Sequence, residues 1–137
     1  MLVKDIMSRQ VAAASPDDTA LYAADLMNRY DVGAIPVVEG HTVRGIVTDR
    51  DIVLRVIARK KDCSTVRLKD VMSCVTSCVS SDAPVGEALA QMSRRQVRRL
   101  PVVDNGRVVR ILSLADVARL KPSVEIAQTI SEISVRT

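Results

Sequence analysis

The 137 residues include no phenylalanine and no tryptophan, and the only tyrosines are Tyr22 and Tyr30. A core must therefore be filled by Val, Ile, Leu, Ala and Met, which favours small sheets covered by aliphatic helices. There is one histidine, His41, and three cysteines, Cys63, Cys74 and Cys78. An odd cysteine count without a secretion signal reads as reduced thiols. The Cys74 to Cys78 spacing is wider than a CxxC zinc knuckle and one histidine cannot complete a set, so no metal site is expected. No apolar run approaches the ~18 residues of a membrane span, and the opening MLVKDIMSRQ carries Lys4, Asp5 and Arg9. The expectation is a cytoplasmic protein with no membrane association. No nucleophile and base are paired, and no Walker or dinucleotide loop is present, so an enzyme is not expected. The net charge is +4. The basic clusters at 59–61 and 94–99 are short and lack interleaved aromatics, and they read as a solvated face; nucleic acid is an unlikely partner.

What the chain does contain is itself, twice. Shifted by 65 residues, VKDIMS (3–8) falls on LKDVMS (68–73), IPVVE (35–39) on LPVVD (100–104), and Asp51 on Asp116, without a gap. Over the 50 pairs from Val3/Leu68 to Ile52/Val117, 16 are identical, where unrelated sequences would give roughly 3 on ordinary residue frequencies. The chain is a tandem duplication: copy one at 1–60, copy two at 61–122, and a helical tail at 123–137.

Each copy reads βαββα. An extended entry (VAAAS; TSCVS) leads to a helix announced by Asp17 or Asp82, with apolar residues at helical spacing such as Leu21, Ala24 and Met27. AIPVVE and RLPVVD, the turns EGH and DNG, and a second β-branched run make a hairpin. A second helix opens at Thr48 or Ser113, and the tail, residues 123–134, places Ile126, Ile130 and Ile133 on one face. A unit of about 60 residues has little core of its own. The expected α+β fold is therefore two units packed sheet to sheet with pseudo-twofold symmetry, leaving two related clefts.

The recurring hydroxyl–x–x–Asp corner, Thr48/Asp51 and Ser113/Asp116, admits two readings. As a capping box, the hydroxyl accepts from an early helix amide and the carboxylate answers the N-cap amide, though Asp is shorter than the usual Glu. As a ligand site, the carboxylate offers lone pairs to two neighbouring sugar hydroxyls. The motif alone does not choose between them.

KDIMS with KDVMS, GAIPVVE with RRLPVVD, and GIVTDRD with ILSLAD resemble the CBS-domain pair, or Bateman module, over roughly residues 1–120, and in particular the stand-alone bacterial tandem kind. The resemblance implies a regulatory module that binds an adenine nucleotide (AMP, ADP or ATP) or adenosylmethionine and acts by conformational change on a partner protein. It implies no catalysis and no cofactor beyond that regulatory ligand. Carried over, Asp51 and Asp116 match the ribose-binding Asp, and Thr48 and Ser113 the hydroxyl beside sugar or phosphate. Arg98 and Arg99 match basic phosphate contacts that Gly33 and Ala34 cannot supply in the first copy; Arg50, whose counterpart is Ala115, makes the sites unequal. Ala12, Val32, Ser77 and Val97 match positions lining the adenine. Arg110 stands where the family expects the glycine seen at Gly45, either as a further phosphate contact or as a filler of the second cleft. A homodimer is expected from apolar residues such as Leu26, Leu54 and Ile57. The alternative is a ligand-free dimeric scaffold or interaction module.

Overall fold

The computed structural model describes residues 1–7, 12–74, 77–119 and 124–134. In order they form α1 (Ala20–Tyr30), β1 (Ala34–Glu39), β2 (Thr42–Thr48), α2 (Asp49–Ile52), β3 (Ser73–Cys74), α3 (Val85–Arg95), β4 (Arg99–Asp104), β5 (Arg107–Ser113), α4 (Leu114–Ala118) and α5 (Val124–Ser134). Single 3₁₀ turns stand at Val3–Asp5 and Leu68–Asp70, and α2 runs on into a π turn, Val53–Ile57. The mixed α+β class and the duplication are as expected.

Two compact units result. One comprises residues 11–76 with 106–108, the other 1–10, 77–105 and 109–137; they are called here the Asp51 unit and the Asp116 unit. The units do not coincide with the sequence copies at 1–60 and 61–122, because each copy's KD turn is built into the other copy's core. In the Asp116 unit, the Val3 amide donates to Ala83 O (2.9 Å) and the Lys4 amide to Ser81 O (2.8 Å). In the Asp51 unit, the Leu68 amide donates to Asp18 O (2.9 Å) and the Lys69 amide to Pro16 O (3.0 Å). Lys4 pairs with Asp82 at 3.0 Å and Lys69 with Asp17 at 3.1 Å. Val3 and Leu68 have no exposed surface, and burying a side chain of that size contributes about 1.5–3 kcal/mol.

Helix α1 starts one turn later than Asp17 suggests. Thr19, extended at φ −84°, ψ 160°, caps it by accepting from the Tyr22 amide, so Asp17 is left to meet Lys69. The buried stripe is Ala20, Ala23, Leu26 and Met27, while Leu21 faces outward. Helix α3 buries Ala88, Leu89 and Met92 in the same way. Both helices stop at a left-handed polar residue, Asp31 (φ 52°) and Gln96 (φ 55°). The β1–β2 register runs from Ala34↔Thr48 to Glu39↔Thr42 with a bulge at Val37/Val38. The β4–β5 turn has positive φ at both Asn105 (51°) and Gly106 (75°), the requirement of a primed two-residue hairpin.

Among the described residues, the expected entry strands are reduced to single bridges. Val79 meets Val102, and Ala14 meets Val37, each as one parallel bridge. The latter rests on two hydrogen bonds, Ala14 N to Pro36 O (3.0 Å) and Val38 N to Ala14 O (2.7 Å). In the Asp51 unit the third strand is β3, antiparallel to β2 through Gly45↔Cys74 and Ile46↔Ser73. Helix α5 covers α3 and α4, and on it Ile133 and Thr129 are buried whereas Ile130 is 38% exposed. Positions four apart share a helical face and Ile130 lies about 100° away from Thr129, which corrects the expectation that Ile130 and Ile133 act together; Ile126 lies outside the residues whose side chains are described.

Candidate functional site

Both corners close as reciprocal caps. Thr48, extended at φ −113°, ψ 163°, accepts from the Asp51 amide at 3.1 Å, and the Thr48 amide donates to Asp51 Oδ2 at 2.9 Å. Ser113 and Asp116 repeat this at 3.0 and 3.1 Å. The shorter Asp therefore reaches the cap fully, because the extended N-cap residue turns its amide back toward the first helical turn.

A second hydrogen bond ties each corner to the start of the hairpin. The Asp49 amide donates to Gly33 O (3.0 Å) and the Leu114 amide to Arg98 O (2.8 Å). These bonds join the backbone at Gly33 to the start of α2 and that at Arg98 to the start of α4, and Ala34 pairs with Thr48 across the first hairpin. Val32 is 40% exposed, whereas Val97 is half-buried against its core. Ala12 packs half-buried on the Asp51 unit's core; Ser77 is half-buried. Arg50 is exposed, and its amide is held by Asp49 Oδ1 (2.8 Å).

Three arginines define the electrostatics of the carboxylates, and two of them the sequence reading did not name. Asp51 Oδ1 faces Arg55 at 3.7 Å, and that guanidinium also donates to Val71 O at 2.8 Å. Asp116 Oδ1 faces Arg119 at 3.7 Å. These are i,i+4 and i,i+3 acid-to-base spacings, visible in the sequence as helix pairs. The third is Arg110, whose Nη2 lies 3.4 Å from Asp116 Oδ2, with side chains 22% and 15% exposed. Its Nε is buried and has no partner among the described residues. Burial pushes Asp116 up, yet the amide and hydroxyl of Ser113 and the Arg110 guanidinium together hold it below the ordinary 3.8.

Arg110 and Gly45 occupy equivalent strand positions, and the reason they differ is steric. A Cβ on Gly45 would lie 2.6 Å from Ser73 O and 2.8 Å from Met72 Sδ, because β3 crosses there. Among the described residues no three His, Cys, Asp or Glu side chains are grouped to hold a metal, and no helix is long and apolar enough to cross a membrane.

Comparison with known proteins places this arrangement. The family model of the CBS domain matches residues 3–58 and again 68–123. CBS domain-containing protein YhcV of Bacillus subtilis is 43% identical over 85% of this chain and 82% of its own. The crystal structure of Hypoxic Response Protein I with two coordinated zinc ions superposes with a TM-score of 0.77 at 33% identity, over 89% of this chain and 100% of that one; the protein of that name from Mycobacterium tuberculosis is 34% identical over 95% of this chain and 92% of its own. The CBS domain pair of protein MJ0100, solved in complex with 5'-methylthioadenosine and S-adenosyl-L-methionine, superposes with a TM-score of 0.77 at 29% identity, over 88% and 94% of the two chains. With the duplication, the paired corners and these matches in agreement, the chain belongs to the CBS domain family, as a tandem pair.

Proposed function

We propose that the chain is a cytoplasmic, non-catalytic regulatory module that binds an adenosyl ligand, an adenine nucleotide or adenosylmethionine, and passes a conformational change to a partner protein. The observation that carries this is the division of labour within each Asp. Oδ2 of Asp51 completes the cap, while Oδ1 stays clear of it at an arginine, so one carboxylate both sets the corner and offers lone pairs to sugar hydroxyls. The MJ0100 pair with its two adenosyl ligands supports the ligand class. Thr48, Asp51, Ser113 and Asp116 are assigned to ribose, Arg50, Arg98 and Arg99 to phosphate, and Ala12, Val32, Ser77 and Val97 to the adenine.

One observation favours a second reading, a ligand-free dimeric scaffold: both caps are complete without any ligand. A thermal-shift panel of AMP, ADP, ATP and adenosylmethionine decides between them. A ligand at a hundred times its dissociation constant stabilises by ~2.7 kcal/mol, and Asp51→Ala with Asp116→Ala abolishes that gain. No shift with any of the four, in folded protein freed of bound nucleotide, leaves the scaffold.

The module is assigned as a homodimer under either reading. Of the residues expected to form the dimer face, Leu26 does not belong to it, because it lies on the core side of α1 and is 4% exposed. On the Asp51 unit, Leu21 of α1 and Val53, Leu54 and Ile57 of the π turn are 43–61% exposed, and apolar patches of this kind mark interfaces. In the Asp116 unit, α5 covers the corresponding pair of helices.

A further inference from the structure

The two corners are not equally available, and the difference lies in one side chain. A vicinal diol set face-on to a carboxylate gives one hydroxyl to each oxygen, and each oxygen has two lone pairs. On Asp51, Oδ2 accepts from the Thr48 amide and, among the described residues, keeps a lone pair. On Asp116, Oδ2 accepts from both the Ser113 amide and Arg110 Nη2, so the lone pair a sugar hydroxyl would need is already taken. The Asp51 unit has no counterpart of Arg110: Gly45 stands there, with Ser73 O 2.6 Å from where its Cβ would be.

We propose that Arg110 is an internal occupant of the Asp116 corner, so that this corner admits only an adenosyl ligand bearing an anionic group that draws the guanidinium off the carboxylate, whereas the Asp51 corner takes uncharged adenosine. The inference rests on the adenosyl reading of the corners and assigns each its ligand class. Arg110 is suited to the exchange. Its guanidinium has five donors, its contact with Asp116 is long at 3.4 Å, and its Nε is without a partner among the described residues. A phosphate on the ribose offers that fork a better-matched acceptor than the half-occupied carboxylate. Phosphate binding and release of the ribose acceptor are then one event.

Calorimetric titration of the full chain with adenosine and with AMP tests this. Wild type takes up one adenosine per chain, lost in Asp51→Ala and kept in Asp116→Ala, and two AMP. Arg110→Ala and Arg110→Gly each raise adenosine to two per chain, and adding Asp116→Ala removes the second; Arg110→Lys, which keeps a cationic donor, stays at one. Two substitutions of different strand propensity, each checked for an intact melting transition, guard against a folding defect. Two adenosines on wild type, or one on both Arg110→Ala and Arg110→Gly, overturn the proposal and leave adenosyl binding standing. Absence of binding by adenosine and AMP in every folded form overturns both.

Discussion

Gly45 and Arg110 show how much one position can mean in two copies of one sequence. Gly45→Ala drives a Cβ into the Ser73 carbonyl at 2.6 Å; backbone cannot step aside as a side-chain end can, and the expected cost is about 1–3 kcal/mol in denaturant unfolding. Thr48→Ala and Ser113→Ala each remove a cap and lower stability by about 1 kcal/mol, a loss present with or without nucleotide. Asp116 carries a pH dependence. Its folded pKa lies below the ordinary 3.8, so its contribution is complete above that value and is lost as the pH falls through the lowered one. Asp104, held down by the hydroxyl and amide of Ser81, acts in the same direction. Acid titration of unfolding in Asp116→Asn therefore shows a shallower decline below about pH 4 than wild type does. At this scale the sequence was informative about Asp51 and Asp116, because the same corner recurs. It was silent on whether Arg110 contacts phosphate or fills the corner, since a flexible side chain's choice of partner depends on what its neighbours leave open. Lys4 and Asp82 are 78 positions apart, and no local pattern joins them.

At the level of elements, legibility followed locality. The hairpins were readable because Asn105–Gly106 and the alternating runs around them act over a few residues. Asp17 and Asp82 stand within a turn of the helix starts, but they serve lysines from distant segments, and Thr19 holds the cap of α1. Among the described residues the entry segments pair at a single bridge each, an outcome that depends on how far their neighbours bend and not on their own propensity. Helix α5 shows the limit of apolar counting. Of its isoleucines Ile133 enters the core and Ile130 does not, which only the helix's rotation settles. Ile133→Ala is expected to cost about 2–5 kcal/mol, as buried large-to-small changes do, whereas Ile130→Ala stays within about 0.5 kcal/mol of wild type. Chemical denaturation of the two variants side by side measures the contrast.

For the whole molecule, the duplication was plain from a constant offset, but the exchange of KD turns was not, because an alignment of two copies does not say in which core a segment docks. Light scattering at micromolar concentration is expected to give the mass of a dimer, and Leu54→Glu with Ile57→Glu, placed on the most exposed apolar surface of the Asp51 unit, to give that of a monomer. Cys74 and Cys78 are exposed and Cys63 only partly covered, so replacing all three by Ser or Ala leaves the melting temperature within a few degrees. The exchange of turns also imposes an order on synthesis. The three-stranded sheet of the Asp51 unit is complete once Cys74 has left the ribosome, and can close while translation continues. Val3 and Lys4 bond to Ala83 and Ser81, which are made only after every strand of that sheet, and so must wait for them. During that interval the same segment of a neighbouring nascent chain competes for the same seat, and crowded ribosomes on one message are where this fold would trade turns between molecules.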